Sequence, residues 1–161
     1  MARVDNKKTG DAAVGVVKSA FQNVKNILPF LETNDNGICT DGYLEVYSSS
    51  EELTKETLRG TISVQVKGTT SKPDSGRPKR RVDIADLERF RDVFHGALYF
   101  VVYFDGNLDT RGIYYKQYLP YDVEKTLTRK GRPDQKTITE RFSPLPTGPK
   151  ELDRLCREFL Q

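Results

Sequence analysis

The sequence predicts an α/β domain with a mixed central sheet flanked by helices. Hydrophobic spacing along the chain gives the order helix, three strands, helix, strand, which is typical of layered α/β domains. The segment at residues 97–104 (ALYFVVYF) is apolar almost throughout, as expected of a central strand that is covered on both faces. These two observations together predict one sheet with a packed layer on each side.

The first element is predicted to be an amphipathic helix. Apolar residues recur at spacings of three and four from Val14 to Leu28, which is the helical period. Thr9 or Asp11 is available as an N-cap, and Pro29 forces a stop because proline cannot continue a helix.

Three extended segments follow this helix. Residues 30–37 are expected to hold a short strand and the turn-prone run NDNG. Residues 42–47 alternate apolar and polar side chains, and residues 61–69 repeat that alternation more strongly. We therefore predict two neighbouring strands, 42–47 and 61–69, after the first short one.

The strand at 61–69 presents two different faces. Ile62, Val64 and Val66 are predicted to point into the core. Gln65 and Lys67 then project together from the opposite face, about 7 Å apart along the strand. The alternative is that these two side chains simply lie on the solvent-facing side of a half-exposed strand and have no functional role.

The rest of the chain predicts a second helix and further elements around the central strand. The segments are a basic loop through residue 81, a helix at 85–93, a hairpin that turns at 105–107 into a strand at 112–119, a helix at 122–129, an extended stretch at 137–142, and a last helix with an apolar stripe from Leu152 to Leu160. We expect a single domain over residues 1–161, with a core at about 12–119 and a C-terminal extension at 120–161. The chain ends on that stripe without a C-cap. We therefore expect either that it is the N-terminal part of a larger protein or that its last helix packs on its own domain.

Composition excludes several classes of protein. With 161 residues, 36% of them hydrophobic and 30% charged, the chain is of ordinary size for one polar, folded domain. No apolar run approaches the ~20 residues of a membrane helix, and the N-terminus has no apolar export signal. Cys39, Cys156 and the single His95 are too few for a disulfide framework or a four-ligand zinc site. A reducing cytoplasm fits this composition best.

Positive charge is concentrated in two segments although the net charge is only +3. Residues 72–81 and 125–136 each carry a net charge of +4. Segments of this kind on an otherwise acidic body indicate a surface for a polyanion, with a solvated loop as the alternative. The residues that we expect to contact nucleic-acid phosphates are Lys72, Arg77, Lys79, Arg80 and Arg81.

A carboxylate, an amide and an ammonium are predicted to converge at one rim of the sheet. Asp41 opens the strand that lies beside the strand of Gln65 and Lys67. Carboxylate and amide oxygens hold hard cations such as Mg²⁺, and a neighbouring lysine stabilises the charge that develops during phosphodiester hydrolysis. Glu45 shares the parity of Asp41 and is predicted to be an accessory metal ligand or to pair with a lysine.

These residues resemble the signature of a nuclease superfamily. Asp41-Gly42, a strand and then Val64-Gln65-Val66-Lys67-Gly68 are similar to the D…(D/E/Q)-x-K pattern of the PD-(D/E)XK, or restriction-endonuclease-like, nucleases. The QxK variant is most similar to Mrr-like and uncharacterised bacterial defence-associated nuclease domains. The segment at 34–38 (NDNGI) also resembles the N-D-x-G-I-D segment of those domains.

The resemblance implies a restriction-endonuclease-like αβββαβ core and metal-dependent nuclease activity. It implies that Asp41 and Gln65 bind Mg²⁺ or Mn²⁺, that Lys67 is the catalytic lysine, and that the substrate is DNA. It also implies a role in phage defence or mobile-element biology, and a partner that aims the cut: a second copy, or an adjoining recognition or ATPase component. The added C-terminal hairpin and helix lie outside the resemblance.

Two departures from the pattern leave alternatives open. Two residues intervene before Asp41, so either Asp35 or Asp41 occupies the metal position. The first helix carries no Glu, whereas many superfamily members place an acidic metal ligand there. The alternative function is therefore a catalytically inactive module of the same fold that binds nucleic acid or a protein partner. A small-molecule enzyme has little support, because no Gly-rich phosphate loop or nucleophile elbow is present.

Overall fold

The computed structural model describes residues 2–33, 40–48 and 51–161, with side chains from Lys7 onward. The four helices of this part of the chain are α1 (Ala2–Gln22), α2 (Ile84–Asp92), α3 (Pro120–Leu127) and α4 (Pro149–Phe159). Its strands are β1 (Ile27–Leu31), β2 (Gly42–Tyr47), β3 (Leu58–Thr69), β4 (Lys79–Asp83), β5 (Ala97–Phe104), β6 (Thr110–Tyr118), β7 (Thr137–Arg141) and β8 (Ser143–Pro144). The predicted turn at 34–37 and Cys39 lie outside the described residues.

Six of these strands form one mixed sheet in the order β1-β2-β3-β5-β6-β8. Strands β3 and β5 are parallel, and every other neighbouring pair is antiparallel. Strands β4 and β7 pair separately as an antiparallel ribbon. The predicted fold class is confirmed at this level: the chain is mixed α/β with a mixed central sheet flanked by helices.

The sheet has a hydrophobic core on each face. On the first face, apolar side chains of β3 pack against α1 and α4. On the second face, the odd-numbered residues of β5 pack against α2, α3 and the β4–β7 ribbon. Strand β5 is buried along its whole length, as its apolar sequence predicts. The residues predicted to face the first core, Ile62, Val64 and Val66, are all buried there.

The boundary between the first helix and the first strand differs from the prediction. Helix α1 begins at Ala2, so neither Thr9 nor Asp11 is its N-cap, and it ends at Gln22 rather than at Leu28. Leu28 and Pro29 belong to β1, where Ile27 and Leu31 are buried in the alternating pattern of a strand. Proline is tolerated there because β1 is an edge strand, whose outer backbone groups need no partner strand.

The predicted basic loop is shorter than expected, because Lys79–Asp83 forms β4. Its partner β7 lies far along the chain, and a pairing of this kind leaves no local pattern in the sequence. The segment predicted as a C-terminal extension is also part of the structure's interior. Its helix α4 contributes Leu152, Cys156 and Phe159 to the first core.

The helices show no membrane-spanning segment. Within residues 2–33, 40–48 and 51–161, none of them combines the length and the apolar character needed to cross a bilayer.

Candidate active site

Asp41 lies where the ladder between β2 and β3 ends. Its backbone N–H donates to the Val64 carbonyl at 2.8 Å, and its own carbonyl accepts from the Glu32 N–H at 3.0 Å. Its carboxylate oxygen Oδ2 accepts from the Val66 N–H at 2.7 Å. Because Gly42 is paired with Val64 in the antiparallel register, Asp41 stands opposite Gln65. The end of the strand thus fixes the Asp41 carboxylate beside β3.

The backbone conformation and the close packing at position 42 require a glycine after Asp41. Its φ is +140°, a conformation that residues with a side chain rarely adopt. A Cβ at this position would lie 1.9 Å from the carbonyl oxygen of Phe30 on the neighbouring strand. The Asp-Gly pair therefore begins a strand, and the close approach of β1 requires the glycine.

Gln65 is buried, and its amide oxygen has no partner among the described residues. The residue is only 5% exposed, and in the parallel register it is paired with Tyr99 on β5. Its Oε1 makes no hydrogen bond to any group in the described part of the chain. A buried acceptor without a partner costs about 1–3 kcal/mol of stability, so a group that bonds to it would remove that cost. Burial also argues against the solvent-face interpretation of Gln65.

We expect Gln65→Met to stabilise the metal-free protein. Methionine has nearly the shape of glutamine without its buried amide oxygen, which is unpartnered among the described residues, so the unfolding free energy should increase by about 1 kcal/mol. The melting temperature should rise by about 2–4 °C in a protein of this size, measured by thermal denaturation in EDTA.

The matched control for this substitution is Asn26→Leu. Asn26 is a buried amide whose Nδ2 donates to the Tyr47 carbonyl at 2.9 Å and to Asp153 Oδ1 at 2.6 Å. Removing a paired amide leaves its partner unsatisfied, so this variant should lose stability. A loss of similar size in Gln65→Met would mean that Gln65 Oε1 is already satisfied.

Lys67 is exposed on β3, two residues beyond Gln65 on the same face, and two carboxylates respond to its charge. Partial burial raises the pKa of Asp41, while the Val66 N–H and the Lys67 ammonium lower it in part. Burial likewise raises the pKa of Asp86, and Lys67 again lowers it in part. Asp41 and Asp86 are therefore two half-buried acids near the same ammonium.

Asp86 is the functional candidate that the sequence did not reveal. It lies in the first turn of α2, whose Leu87 and Phe90 are buried in the second core. The N–H of Ile84 donates to the Lys136 carbonyl at 2.9 Å, which ties the start of this helix to the β4–β7 ribbon. An acid near the start of a predicted helix was the only signal available, and it does not say which strand the helix covers.

Tyr99 forms an uncharged part of the site next to Gln65. Burial raises the pKa of its phenol, and the negative charge of Asp86 raises it further, against the opposing charge of Arg80. Its hydroxyl therefore keeps its proton at neutral pH. The same face thus combines a neutral phenol, an amide, two acids and one ammonium.

The structure does not bring Glu45 to the other predicted ligands. Glu45 is paired with Thr61 on β3, four positions along β2 from Asp41, a separation of about 13 Å. Its carboxylate accepts a hydrogen bond from the Tyr47 hydroxyl at 2.9 Å, not from a lysine. Glu45 lies on the expected face of the sheet, but the strand register places it far from Asp41 and Gln65.

The five predicted phosphate-binding residues are divided between two surfaces. Lys72 and Arg77 are exposed in the loop between β3 and β4, and Lys79 and Arg81 are exposed along β4. Arg80 is half-buried and turned toward the tyrosines of β5. There its charge and hydrogen bond work against the burial that raises the pKa of Tyr103.

The second basic segment is in part structural. The guanidinium of Arg129 pairs with the buried carboxylate of Glu140. Glu140 also accepts hydrogen bonds from the Tyr118 hydroxyl at 3.0 Å and from Thr126 Oγ1 at 2.9 Å. This glutamate is therefore fully bonded, and Arg129 is committed to it.

The residues at the rim fit a hard divalent cation. No three His, Cys, Asp or Glu side chains are grouped as metal ligands among residues 2–33, 40–48 and 51–161. The donors near Lys67 are instead the carboxylates of Asp41 and Asp86 and the Oε1 of Gln65, which has no partner among the described residues; all of them are oxygens. Mg²⁺ suits such a small oxygen set because it keeps several of its waters. Asp35, the alternative to Asp41, lies outside the described residues.

Comparison of this chain with family models, with curated proteins and with solved structures finds no match.

Proposed function

We propose that this chain is a Mg²⁺- or Mn²⁺-dependent endonuclease that hydrolyses DNA phosphodiester bonds. The observation that carries the proposal is the buried Gln65 Oε1, which lacks a hydrogen-bond partner among the described residues and stands opposite the Asp41 carboxylate. A buried acceptor is normally satisfied, so its isolation beside an acid favours a bound cation at that point. Among metal-dependent reactions, the adjacent Lys67 favours phosphoryl chemistry.

The metal would be held by Asp41 and Gln65, with Asp86 as a further acid. Asp41 Oδ2 already accepts a hydrogen bond from the Val66 N–H, which orients the carboxylate and leaves Oδ1 without a hydrogen bond to the described residues. Asp86 on α2 would take the place of an acid from the first helix, because α1, which carries Asp5 and Asp11, packs on the opposite face of the sheet. When bound, a divalent cation polarises a phosphoryl oxygen and neutralises developing negative charge.

Lys67 supplies a positive charge near the two acids. In hydrolysis a P–O bond forms to the oxygen of the attacking water, which loses a proton, while the ester P–O bond breaks and its leaving oxygen takes up a proton; negative charge builds on the phosphoryl oxygens. An ammonium held next to that position stabilises this charge. Lys67 is exposed at the surface of the sheet, so a DNA phosphate has access to it.

The sheet topology supports the same assignment. The main-sheet elements follow the αβββαβ order of the nuclease core that the sequence resembles. They are helix α1, the antiparallel strands β1, β2 and β3, helix α2, and then β5, which is parallel to β3. The exposed cations Lys72, Arg77, Lys79 and Arg81 follow β3 directly and offer contacts to the DNA backbone. A second copy or an adjoining recognition or ATPase component would aim the cut, in phage defence or mobile-element biology in a bacterial cytoplasm.

The direct test is cleavage of supercoiled plasmid DNA by the purified protein. We expect nicked and linear products with Mg²⁺ or Mn²⁺, none in EDTA, and a metal-dependent rise in melting temperature because ligands stabilise the state that binds them. Intact plasmid with both metals, together with an unchanged melting temperature, would contradict the proposal.

A second candidate function is an inactive module of this fold. It is favoured by the neutral amide at Gln65, because an amide attracts a cation less strongly than a carboxylate does. Calorimetry separates the two candidates. Salt-dependent binding of DNA without any heat of Mg²⁺ or Mn²⁺ binding would favour the inactive module.

A further inference from the structure

Two exposed aromatic rings are stacked at the β1 edge of the sheet. Phe30 on β1 and Tyr43 on β2 are direct cross-strand partners, with ring centroids 5.1 Å apart and an interplanar angle of 21°. They are 44% and 41% exposed, which is unusual for side chains of this size in a sheet. Each ring has one face turned to the other ring and a second face turned away from it.

This aromatic pair lies on the same face of the sheet as the candidate active site. Tyr43 is two residues from Asp41 and has its parity, a separation of about 7 Å along the strand. Ser63, the β3 partner of Tyr43, is likewise two residues from Gln65. The rings are thus within the reach of one nucleotide whose phosphate lies at Asp41 and Lys67.

A groove beside the pair has room for a nucleotide. It has a volume of about 660 Å³, and its lining includes both rings, Asp41, Glu32 and Lys18. The ring faces offer stacking to any base. The alternative is that the pair only stabilises β1 against β2, as cross-strand aromatic pairs do.

We propose that Phe30 and Tyr43 stack on an unpaired base next to the scissile phosphate, so that the substrate is single-stranded DNA or a single-stranded segment within a duplex. The base must be unpaired because a base inside a duplex already has neighbours on both faces. The position of this base beside a scissile phosphate rests on the proposed nuclease function, but stacking of the base on the two rings does not require cleavage.

The test measures binding in EDTA, so that no cleavage takes place. Fluorescence anisotropy compares a labelled single-stranded oligonucleotide with the same sequence as a blunt duplex at equal salt. Phe30→Leu and Tyr43→Leu should weaken single-strand binding about 5- to 150-fold, the range of base–aromatic stacking, and leave duplex binding unchanged. Tyr43→Phe should retain single-strand binding.

Tyr121→Leu is the matched control, because Tyr121 on α3 is 76% exposed and is absent from the groove. It should bind both DNAs as the unaltered protein does. Unchanged single-strand binding by both Phe30→Leu and Tyr43→Leu would overturn the inference, as would equal losses on the single strand and the duplex.

A second measurement needs no variant and covers the case in which a ring substitution prevents folding. Oligonucleotides with a single abasic sugar at successive positions are bound to the unaltered protein. An abasic sugar at one position should weaken binding about 5- to 150-fold, as the ring substitutions do. Equal affinity for all of these oligonucleotides would overturn the inference. A protein that cleaves no DNA but passes both binding tests would refute only the nuclease function.

Discussion

Asp41→Asn is expected to slow metal-dependent DNA cleavage about 10³-fold or more. Metal ions contribute several kcal/mol of transition-state stabilisation in such reactions, and this substitution removes the negative charge that attracts the cation. Asparagine has almost the same volume and keeps an oxygen that accepts the Val66 N–H. The loss should therefore appear as a loss of Mg²⁺ binding in calorimetry rather than as unfolding.

The same variant should be more stable than the unaltered protein when metal is removed. Because burial raises the folded-state pKa of Asp41, the ionised carboxylate is disfavoured in the fold at neutral pH. The melting temperature of Asp41→Asn should exceed that of the unaltered protein at neutral pH in EDTA. This difference should shrink as the pH falls through the folded-state pKa, and it should vanish below the usual value of 3.8.

Glu45→Gln is the control for Asp41→Asn. Glu45 lies on the same strand and the same face, but its partner is the Tyr47 hydroxyl and the register holds it away from Asp41. Cleavage and Mg²⁺ binding should stay within about twofold of the unaltered protein. Full activity in Asp41→Asn would remove Asp41 from the site, and equal losses in both variants would mean that the effect is not local.

The sequence predicted the parts of the fold that depend on local alternation. The burial of Ile62, Val64 and Val66 and the full burial of β5 follow from side chains that pack directly on the strand that carries them. The end of α1 was predicted incorrectly, because Leu28 continues the helical spacing although it belongs to β1. Tertiary pairing with β2 overrides the local pattern at that point.

The candidate site was predictable where two adjacent strands define it and unpredictable elsewhere. The hairpin of β2 and β3 brings Asp41 opposite Gln65, and a short sequence separation suffices to expect this. Asp86 and the burial of Gln65 depend on how α2 and the ribbon cover the second face, which involves residues far along the chain. Glu45 was misplaced because parity gives the face of a strand and not the position along it.

Lys67→Met is expected to lower the cleavage rate about 10²- to 10³-fold, the usual cost of removing one group that stabilises developing charge. Methionine keeps the length and the apolar part of the side chain, so the strand should fold unchanged. Metal binding should survive at high pH, which would separate this variant from Asp41→Asn. Plasmid cleavage and calorimetry on the same preparation measure the two effects.

The pH dependence of metal binding gives Lys67 a signature that a structural role would not produce. The Lys67 ammonium lowers the pKa values of Asp41 and Asp86, so both values should rise in Lys67→Met. Cations bind the ionised acids, and the pH at which Mn²⁺ binding is half-lost should therefore move upward. Lys67→Arg keeps the charge and should leave this midpoint unchanged.

Lys25→Met is the matched control, because Lys25 is exposed in the turn between α1 and β1. It should change neither the cleavage rate nor the pH midpoint of metal binding. If Lys67→Met cleaved DNA at the full rate, Lys67 would not be the catalytic lysine. If its rate fell while the midpoint stayed fixed, its ammonium would act on the phosphate alone and not through the two acids.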